Sequence, residues 1–392
     1  MIRLIISFLA LTAACTLHAG NDLQKVLAMI EENNSTLKAL RTASEAEKLN
    51  NRTGINLSDP EIGFGYTWKN TPGVLDEKSV SFTQSFDFAT ISGLKSRVAK
   101  NKNQLVDLQY RSDRIDIMLE AKQYALDVIY YNAMLRELAL RKKHFEDIAE
   151  VQKKRLLNGD GNRLEYNNAM LNLLKLKGEI KRNQTEHDAA LSQLVRLNGG
   201  SEVVLEDDAF EPVAMPADYK LWYEQTEKKN PVLSYVKQEI EVSKKQLSLN
   251  KSMGLPSLTA GYSGDFAGDE RSNGISIGMS IPLWSNKNRV RQAKTAVRAA
   301  EERDVDARLQ YYNKIKIMFI RTQGLKETAD TYRMSLEQAD NSVLLKKALD
   351  EGEISLLDYF VEIGVYYDAV DQALDAERAY QKAYAELTAV EL

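Results

Sequence analysis

The stretch Glu227-Lys228-Lys229-Asn230-Pro231-Val232-Leu233 restates Glu31-Glu32-Asn33-Asn34-Ser35-Thr36-Leu37, with Glu, Asn and Leu superposed at an offset of about 196 positions. The same offset carries Pro60, Gly65 and Tyr66 onto Pro256, Gly261 and Tyr262. Past a one-residue slip, Phe82, Ser85, Phe86 and Phe88 fall on Ile277, Ser280, Ile281 and Leu283. Further on, Gly159, Leu164, Glu165 and Tyr166 fall on Gly352, Leu357, Asp358 and Tyr359. A long internal repeat fixes the architecture before any local motif does. Each half reads as a helix, a pair of strands, a very long helix, a tight turn and a returning helix.

The helices follow from where glycine and proline are missing. Neither occurs between Gly93 and Gly159, which predicts a helix from about Ser92 to Asn158, roughly 100 Å long at 1.5 Å per residue. The second copy, from about Lys287 to Glu351, contains only Gly324 and is expected to be nearly as long. Val290, Ala293, Val297 and Ala300 step by 3, 4 and 3, as do Tyr312, Ile315 and Phe319 without the last step. In the first copy Ile115, Leu119, Leu126, Ile129 and Ala133 fit the same seam, with Lys122 interrupting. Such a seam aims a narrow apolar stripe at neighbouring helices. One chain cannot cover all of it. Gly159 and Gly352 end the long helices, because glycine takes the left-handed conformation without a steric penalty. Returning helices are expected over 163–198 and 355–392. Asn230 followed by Pro231 reads as an N-cap with proline in the first turn.

Four segments alternate with period two, the mark of strands with one apolar and one polar face. Ile62, Phe64, Tyr66 and Trp68 form one apolar row; Val80, Phe82, Phe86 and Phe88 form the next, broken by Gln84. Ile275, Ile277, Met279, Ile281 and Leu283 form a third, and Leu258 and Tyr262 a weaker fourth. The links are expected around Asn70–Gly73 and Gly268–Gly274. Pattern alone leaves two readings: a half-buried sheet packed on helices, or strands that cross a bilayer. Length of about ten residues and aromatic side chains gathered toward segment ends (Tyr66, Trp68, Phe86, Phe88, Trp284) favour the second. Lipid leaves strand edges unsatisfied, so spanning strands must close into a barrel. Bacterial barrels start at about eight strands, and this chain supplies four. Insertion therefore requires several copies.

Met1-Ile2-Arg3 and the apolar run Leu4–Ala14, followed by small residues through Ala19-Gly20, read as an export signal. Eleven apolar residues are too few for a spanning helix. Cys15 is the sole cysteine, which excludes an intramolecular disulfide. Thr12-Ala13-Ala14-Cys15 weakly resembles a lipobox, with Thr in the place of the usual aliphatic residue, so Cys15 is a candidate lipidation site. The preferred reading has it removed with the signal. A net charge of -4 gives no electrostatic case for nucleic acid. Arg141-Lys142-Lys143 and Lys153-Lys154-Arg155 sit among acids and read as solvated helix faces. The mature chain has only His144 and His187, no cysteine and no phosphate-cradling loop. No enzyme, metal or cofactor is expected.

Taken together, the duplicated helix starts, the Leu255-Pro256-Ser257-Leu258 lead into a strand, Ser280-Ile281-Pro282-Leu283, and the turns Gly159–Glu165 and Gly352-Glu353-Ile354-Ser355-Leu356-Leu357-Asp358 resemble the TolC-like outer-membrane efflux proteins. The resemblance runs over the whole mature chain. It implies a mainly α protein with a small membrane β-barrel contribution: a homotrimer with a shared twelve-stranded barrel in outer-membrane lipid and a periplasmic α-barrel of long hairpins. The expected divisions are a signal at 1–20, a first repeat at 21–200 with its strand pair in 60–88, a connection at 201–217, and a second repeat at 218–392 with its strand pair in 256–284. The implied function is a passive exit duct in the outer membrane of a Gram-negative bacterium, docked to a periplasmic adaptor protein and served by an inner-membrane transporter. The tips Asn158-Gly159-Asp160-Gly161 and Asp350-Glu351-Gly352-Glu353 are then adaptor-docking candidates. Asp358 aligns with a pore-narrowing acid of the family. Glu362 is shifted to four residues beyond it, and the pair can share one helix face. Carboxylate rings select for cations. Ala348 stands where the family has a tip aromatic. The rival reading is a periplasmic coiled-coil adaptor or scaffold with a soluble sheet. An adaptor is expected to carry one helical hairpin and a larger β region, against two hairpins and two strand pairs here.

Overall fold

The computed structural model describes residues 21–392 apart from Ser285 and Asp340. The export signal and Cys15 lie outside the described residues. In the first half, α1 (Asn21–Asn33) and α2 (Ser35–Asn50) lead to β1 (Glu61–Thr67) and β2 (Glu77–Phe86). A single turn, α3 (Phe88–Ile91), precedes α4 (Leu94–Asn158), which reverses into α5 (Arg163–Leu197). The second half runs α6 (Tyr219–Lys229), α7 (Pro231–Ser252), β3 (Ser257–Ala267), β4 (Glu270–Ser280), α8 (Arg289–Ala339), α9 (Ser342–Asp350) and α10 (Leu356–Leu387), closing with a 3₁₀ turn at Ala389–Glu391.

The repeat is visible as chemistry. Asn34 and Asn230 interrupt equivalent helix pairs, both buried, and each accepts a hydrogen bond from the backbone N–H three residues on: Leu37 at 2.8 Å and Leu233 at 2.9 Å. Glu31 pairs with Arg114 at 2.6 Å, and its counterpart Glu227 pairs with Arg308 at 2.6 Å. An asparagine oxygen at the N-cap satisfies a donor that the first helical turn leaves free. Proline at 231 costs nothing there, since its missing N–H would have had no helical partner.

Contacts divide the chain into two compact units, each drawn from both halves. Among the described residues, one comprises 21–39, Asp113–Glu224 and Tyr312–Leu392; the other comprises Leu40–Ser112 and Gln225–Tyr311. In the first, α1, α4 and α5 bury Val26, Ile30, Val128, Ile129, Leu194 and Leu197. The connection after α5 has no helix or strand through Pro216, yet it contributes Val203 and Leu205 to that core. Asn132 holds it by donating to the carbonyls of Leu205 and Asp207 at 2.9 and 3.0 Å.

The second unit contains an antiparallel sheet in the order β1-β2-β3-β4. Register places Gly63, Ser81 and Ser263 in one cross-strand row and Thr83, Gly261 and Ser276 in another, so one face is small and polar. The other face carries Phe64, Phe82, Tyr262, Ile275 and Ile277. It is not covered by helices: Phe64 is 81% exposed and Ile275 and Ile277 are each 83% exposed. The half-buried sheet considered from the pattern is therefore not what forms. The outer edges of β1 and β4 have no partner strand among the described residues.

Four expectations need correction. The second long helix is not continuous to Glu351: α8 stops at Ala339 and α9 restarts behind Asn341. Asn and Ser are weak helix formers, so Asn341-Ser342 is where the helix restarts, although the Asn341 side chain makes no cap bond. The second strand link is only Gly268-Asp269, with Gly268 at φ 61°. Glu270–Gly274 lack apolar alternation but join β4, because pairing with Ser263–Ala267 satisfies their backbone. Phe88 leaves the strand because Asp87 caps α3, accepting from the Thr90 N–H at 2.7 Å. The fourth is Arg141, expected on a solvated face and found buried at 4% exposure.

The long helices differ in cover. Between Met118 and Leu138, α4 is buried on several sides. Along α8 only a thread of mostly small residues is buried: Ala293, Ala300, Ile315, Thr322 and Ala329. Val305, Leu309, Ile317 and Ile320 on the same helix remain 59–69% exposed. The seam exists, and in one chain much of its flank is bare.

Candidate functional site: two hairpin tips and the acids beside them

Both tips are built alike. At the end of α4, Gly159 adopts φ 81°. Its N–H donates to the Leu156 carbonyl at 3.3 Å, and the Asp160 N–H donates to the Arg155 carbonyl at 3.0 Å. At the end of α9, Gly352 adopts φ 76°, with Gly352 donating to Leu349 at 3.1 Å and Glu353 to Ala348 at 2.8 Å. This pair of reversed bonds is the Schellman turn, which satisfies carbonyls that a helix end leaves open. Gly161 is constrained differently: a Cβ there would lie 2.6 Å from the Leu156 nitrogen and 2.7 Å from the Arg155 carbonyl carbon. Asn158, Gly159, Asp160, Asp350, Glu351, Gly352 and Glu353 are exposed, and Gly161 is half-buried.

The returning helices are capped by different side chains. Asn162 accepts from the Leu164 N–H at 2.8 Å. At the second tip Ser355 accepts from the Asp358 N–H at 3.1 Å, and its hydroxyl donates to the Asp358 carboxylate at 2.6 Å. Asp358 is thus a capping residue as well as an exposed acid, placed at the positive end of the α10 dipole. Glu362 lies one turn on, also exposed. Leu357, Val361 and Val365 flank the two acids and are 58–65% exposed. Glu362 also borders a groove of about 700 Å³ between α8 and α10, together with Gly324, Thr328, Tyr332 and Tyr366.

Behind the acids lies a cluster that sequence reading missed. Tyr359 and Ile363 are buried against Ile148, Ala149, Ala169 and Leu173. His144 stands between two phenols, with Nε2 2.9 Å from the Tyr359 hydroxyl and Nδ1 3.1 Å from the Tyr367 hydroxyl. One hydroxyl donates and the other accepts, whichever tautomer the ring holds. The Arg141 guanidinium lies 4.4 Å from the centre of the Tyr367 ring, and its Nη2 is 2.7 Å from Asp371. Arg141, His144, Phe145 and Ile148 share one face of α4 through spacings of three, four and seven. That periodicity was the available signal, hidden by the charged residues between them. Lys142 and Lys143 do face outward.

Burial pushes the His144 imidazole below its ordinary value of 6.5, and Lys346 lowers it further, against opposing contributions from Asp147 and Asp350. Burial likewise pushes the Tyr359 hydroxyl up, so both phenols around the ring stay neutral near pH 7. A base whose pKa falls on folding binds fewer protons in the native state. Stability is then complete above about 6.5 and declines as pH falls toward the lower folded value. Acidification from pH 7.5 to 5 is expected to loosen α10 from α4, seen as faster amide exchange around Tyr359. The substitution His144→Gln should remove that pH dependence; an identical acid-induced gain in exchange in the variant would overturn the assignment.

Among the described residues there is no cluster of three His, Cys, Asp or Glu side chains able to hold a metal, and no helix is long and apolar enough to cross a membrane. Residues 222–390 match the family model described as outer membrane efflux protein. The chain is similar to the alkaline protease secretion protein AprF of Pseudomonas aeruginosa, 21% identical over 323 residues; the match covers 77% of this chain and 66% of that relative. In structure it is similar to the Campylobacter jejuni CmeC outer membrane channel, with a TM-score of 0.71 at 13% identity, covering 94% of this chain and 85% of the other. It is also similar to the open-state MtrE outer membrane channel of Neisseria gonorrhoeae, with a TM-score of 0.73 at 14% identity and coverage of 94% and 88%. A membrane protein from Pseudomonas aeruginosa gives a TM-score of 0.74 at 15% identity, with coverage of 94% and 92%. At such identities the structures establish the fold alone, and the family model bears on residues 222–390. The repeated unit of strand pair and long hairpin is the fold of these channels, and the second half of the chain, residues 222–390, matches the outer membrane efflux protein family model.

Proposed function

We propose that this chain is the outer-membrane exit duct of a tripartite efflux or secretion system, conducting cargo passively once docked to a periplasmic adaptor and an inner-membrane transporter. The observation that carries this reading is the sheet: four strands, two open edges and an apolar face bare to its surroundings. Open edges in hydrocarbon are costly, and further strands are the only way to satisfy them. Three copies give the twelve strands of the family's barrel, and the uncovered flank of α8 gains neighbours in the same step. A soluble adaptor or scaffold would leave these apolar rows in water, where patches of this size lead to association.

The test is direct. Protein extracted from outer membranes in detergent should run as a trimer without heating and give single-channel conductance in a planar bilayer. A soluble monomer without conductance would overturn the duct.

The tips Asn158–Gly161 and Asp350–Glu353 are the adaptor-docking surfaces on this reading, and Asp358 and Glu362 narrow the mouth with six acids in a trimer. Exposure of both tips apart from half-buried Gly161, and exposure of the two acids one helical turn apart, support these roles. Asp358→Asn with Glu362→Gln keeps an oxygen acceptor for the Ser355 cap while removing charge. Cation selectivity in a salt gradient should fall toward that of an uncharged pore. Unchanged reversal potentials would remove the acids from the constriction.

A further inference from the structure

Register places Tyr66, Lys78, Phe266 and Arg271 in one cross-strand row spanning all four strands. All four side chains lie on the apolar face, since Lys78 alternates with Val80 and Phe82, and Arg271 with Ile275 and Ile277. Lys78 and Arg271 are exposed, and neither forms an ion pair among the described residues. The acids of this end point elsewhere or are engaged. Glu77, Asp265 and Glu270 belong to the small polar face; Glu77 pairs with Lys69 at 3.2 Å. Asp76 accepts from the Tyr66 hydroxyl at 2.6 Å and from the Lys69 N–H at 3.0 Å. Asp269 sits in the two-residue turn. Trp68 extends the row, 5.6 Å from Tyr66 edge to face and 75% exposed.

The row therefore alternates aromatic and cationic side chains at one margin of an apolar band. The opposite margin of that face, Phe86-Leu258-Met279, carries no charge. The two margins are eight residues apart, roughly 27 Å along a strand, which projects to about 20 Å along the membrane normal at the ~40° tilt of barrel strands, within the ~25 Å apolar band. Aromatic rings belong at the headgroup level, while lysine and arginine on a lipid-facing surface need an anion there. The row lies at the sheet end where the chain turns back at 68–76 and 268–269, away from the ends that lead to helices. With helices on the periplasmic side, that end meets the outer leaflet.

Resting on the duct reading, we propose that the Tyr66-Lys78-Phe266-Arg271 row binds the phosphate groups of outer-leaflet glycolipid. Each copy contributes one such row. Arginine can engage a phosphate through two parallel bonds and lysine as a point charge. The aromatic neighbours seat the sugar and upper acyl region, and the row fixes the depth and direction in which the barrel sits.

The test uses the intact protein in detergent with diphosphorylated lipid A, dephosphorylated lipid A and inorganic phosphate as probes, read by native mass spectrometry. The unmodified protein should retain the diphosphorylated lipid over the dephosphorylated one, and inorganic phosphate should compete weakly. Lys78→Gln with Arg271→Gln should lower retention about fivefold for each charge removed. Lys78→Arg with Arg271→Lys should keep it, as should Lys100→Gln on α4. Equal retention of both lipids, or a loss matched by Lys100→Gln, would overturn the proposal; so would retention unchanged in the glutamine pair. Conductance in neutral phosphatidylcholine bilayers separates the readings. A conducting protein without phosphate preference leaves the duct standing and removes the lipid site. A protein that neither inserts nor conducts removes both.

Discussion

A chain carrying Gly159→Val and Gly352→Val is expected to lose export completely while still assembling and inserting. Both glycines adopt left-handed backbone, at φ 81° and 76°, and neither has an atom within 4 Å of a Cβ position. The cost is therefore conformational strain rather than collision, about 1–2 kcal/mol at each turn and somewhat more for a β-branched residue. That is small against cores holding fully buried side chains such as Ile30, Leu194 and Tyr359. Relief of the strain breaks the paired bonds from Gly159 and Asp160, and from Gly352 and Glu353, so the exposed tips change shape. Export measured in cells, beside unheated mass and conductance of the purified variant, decides the matter. Full export by a folded double variant would show that the tips are turns and nothing more.

The second large effect is energetic. Arg141→Ala is expected to destabilise the unit that holds it by about 2–3 kcal/mol. Breaking a fully buried ion pair costs about 3–5 kcal/mol, and the lower figure applies because Asp371 is 35% exposed and partly hydrated. Loss of the guanidinium from the Tyr367 ring adds to the effect. The pair is also imperfect: Nη2 and Oδ1 are 2.7 Å apart, yet Nε and Oδ1 make no well-directed hydrogen bond. A half-satisfied pair is replaceable, so Arg141→Met with Asp371→Leu should recover most of the lost stability. Denaturant unfolding in detergent measures both. An additive loss in the double variant would mean that the two side chains act independently and that their pairing contributes nothing.

Much of this was legible because glycine and proline are scarce and informative. The expected helix to Asn158 ends at that residue, and the returning helix begins at Arg163 as the turn chemistry implied. Strand faces followed from alternation, and Asn34 and Asn230 from their place in the repeat. What failed was decided by partners distant in sequence. Glu270–Gly274 look like a loop until β3 lies beside them. Asp358 could be read as an acid, but its bond with Ser355 depends on the turn before it. Arg141 and His144 sit in a run of charges, and only the third dimension separates them from Lys142 and Lys143. The Glu31–Arg114 and Glu227–Arg308 pairs repeat faithfully, yet their arginines lie in long helices where local pattern gives no reason to single them out.

The thin buried thread along α8 also has a temporal meaning. If the chain assembles as the trimer proposed above, a helix of 51 residues whose contacts within its own chain are mostly alanine-sized gains little by closing before other copies arrive. Folding and assembly then become one concentration-dependent event. A newly exported chain waits with open strand edges and a bare helix flank, in the condition most prone to aggregation. Maturation should slow as synthesis is throttled, more steeply than in proportion, because encounter among copies sets the pace. The level at which the gene is expressed would thus govern the fraction of chains that ever become functional, as well as their number.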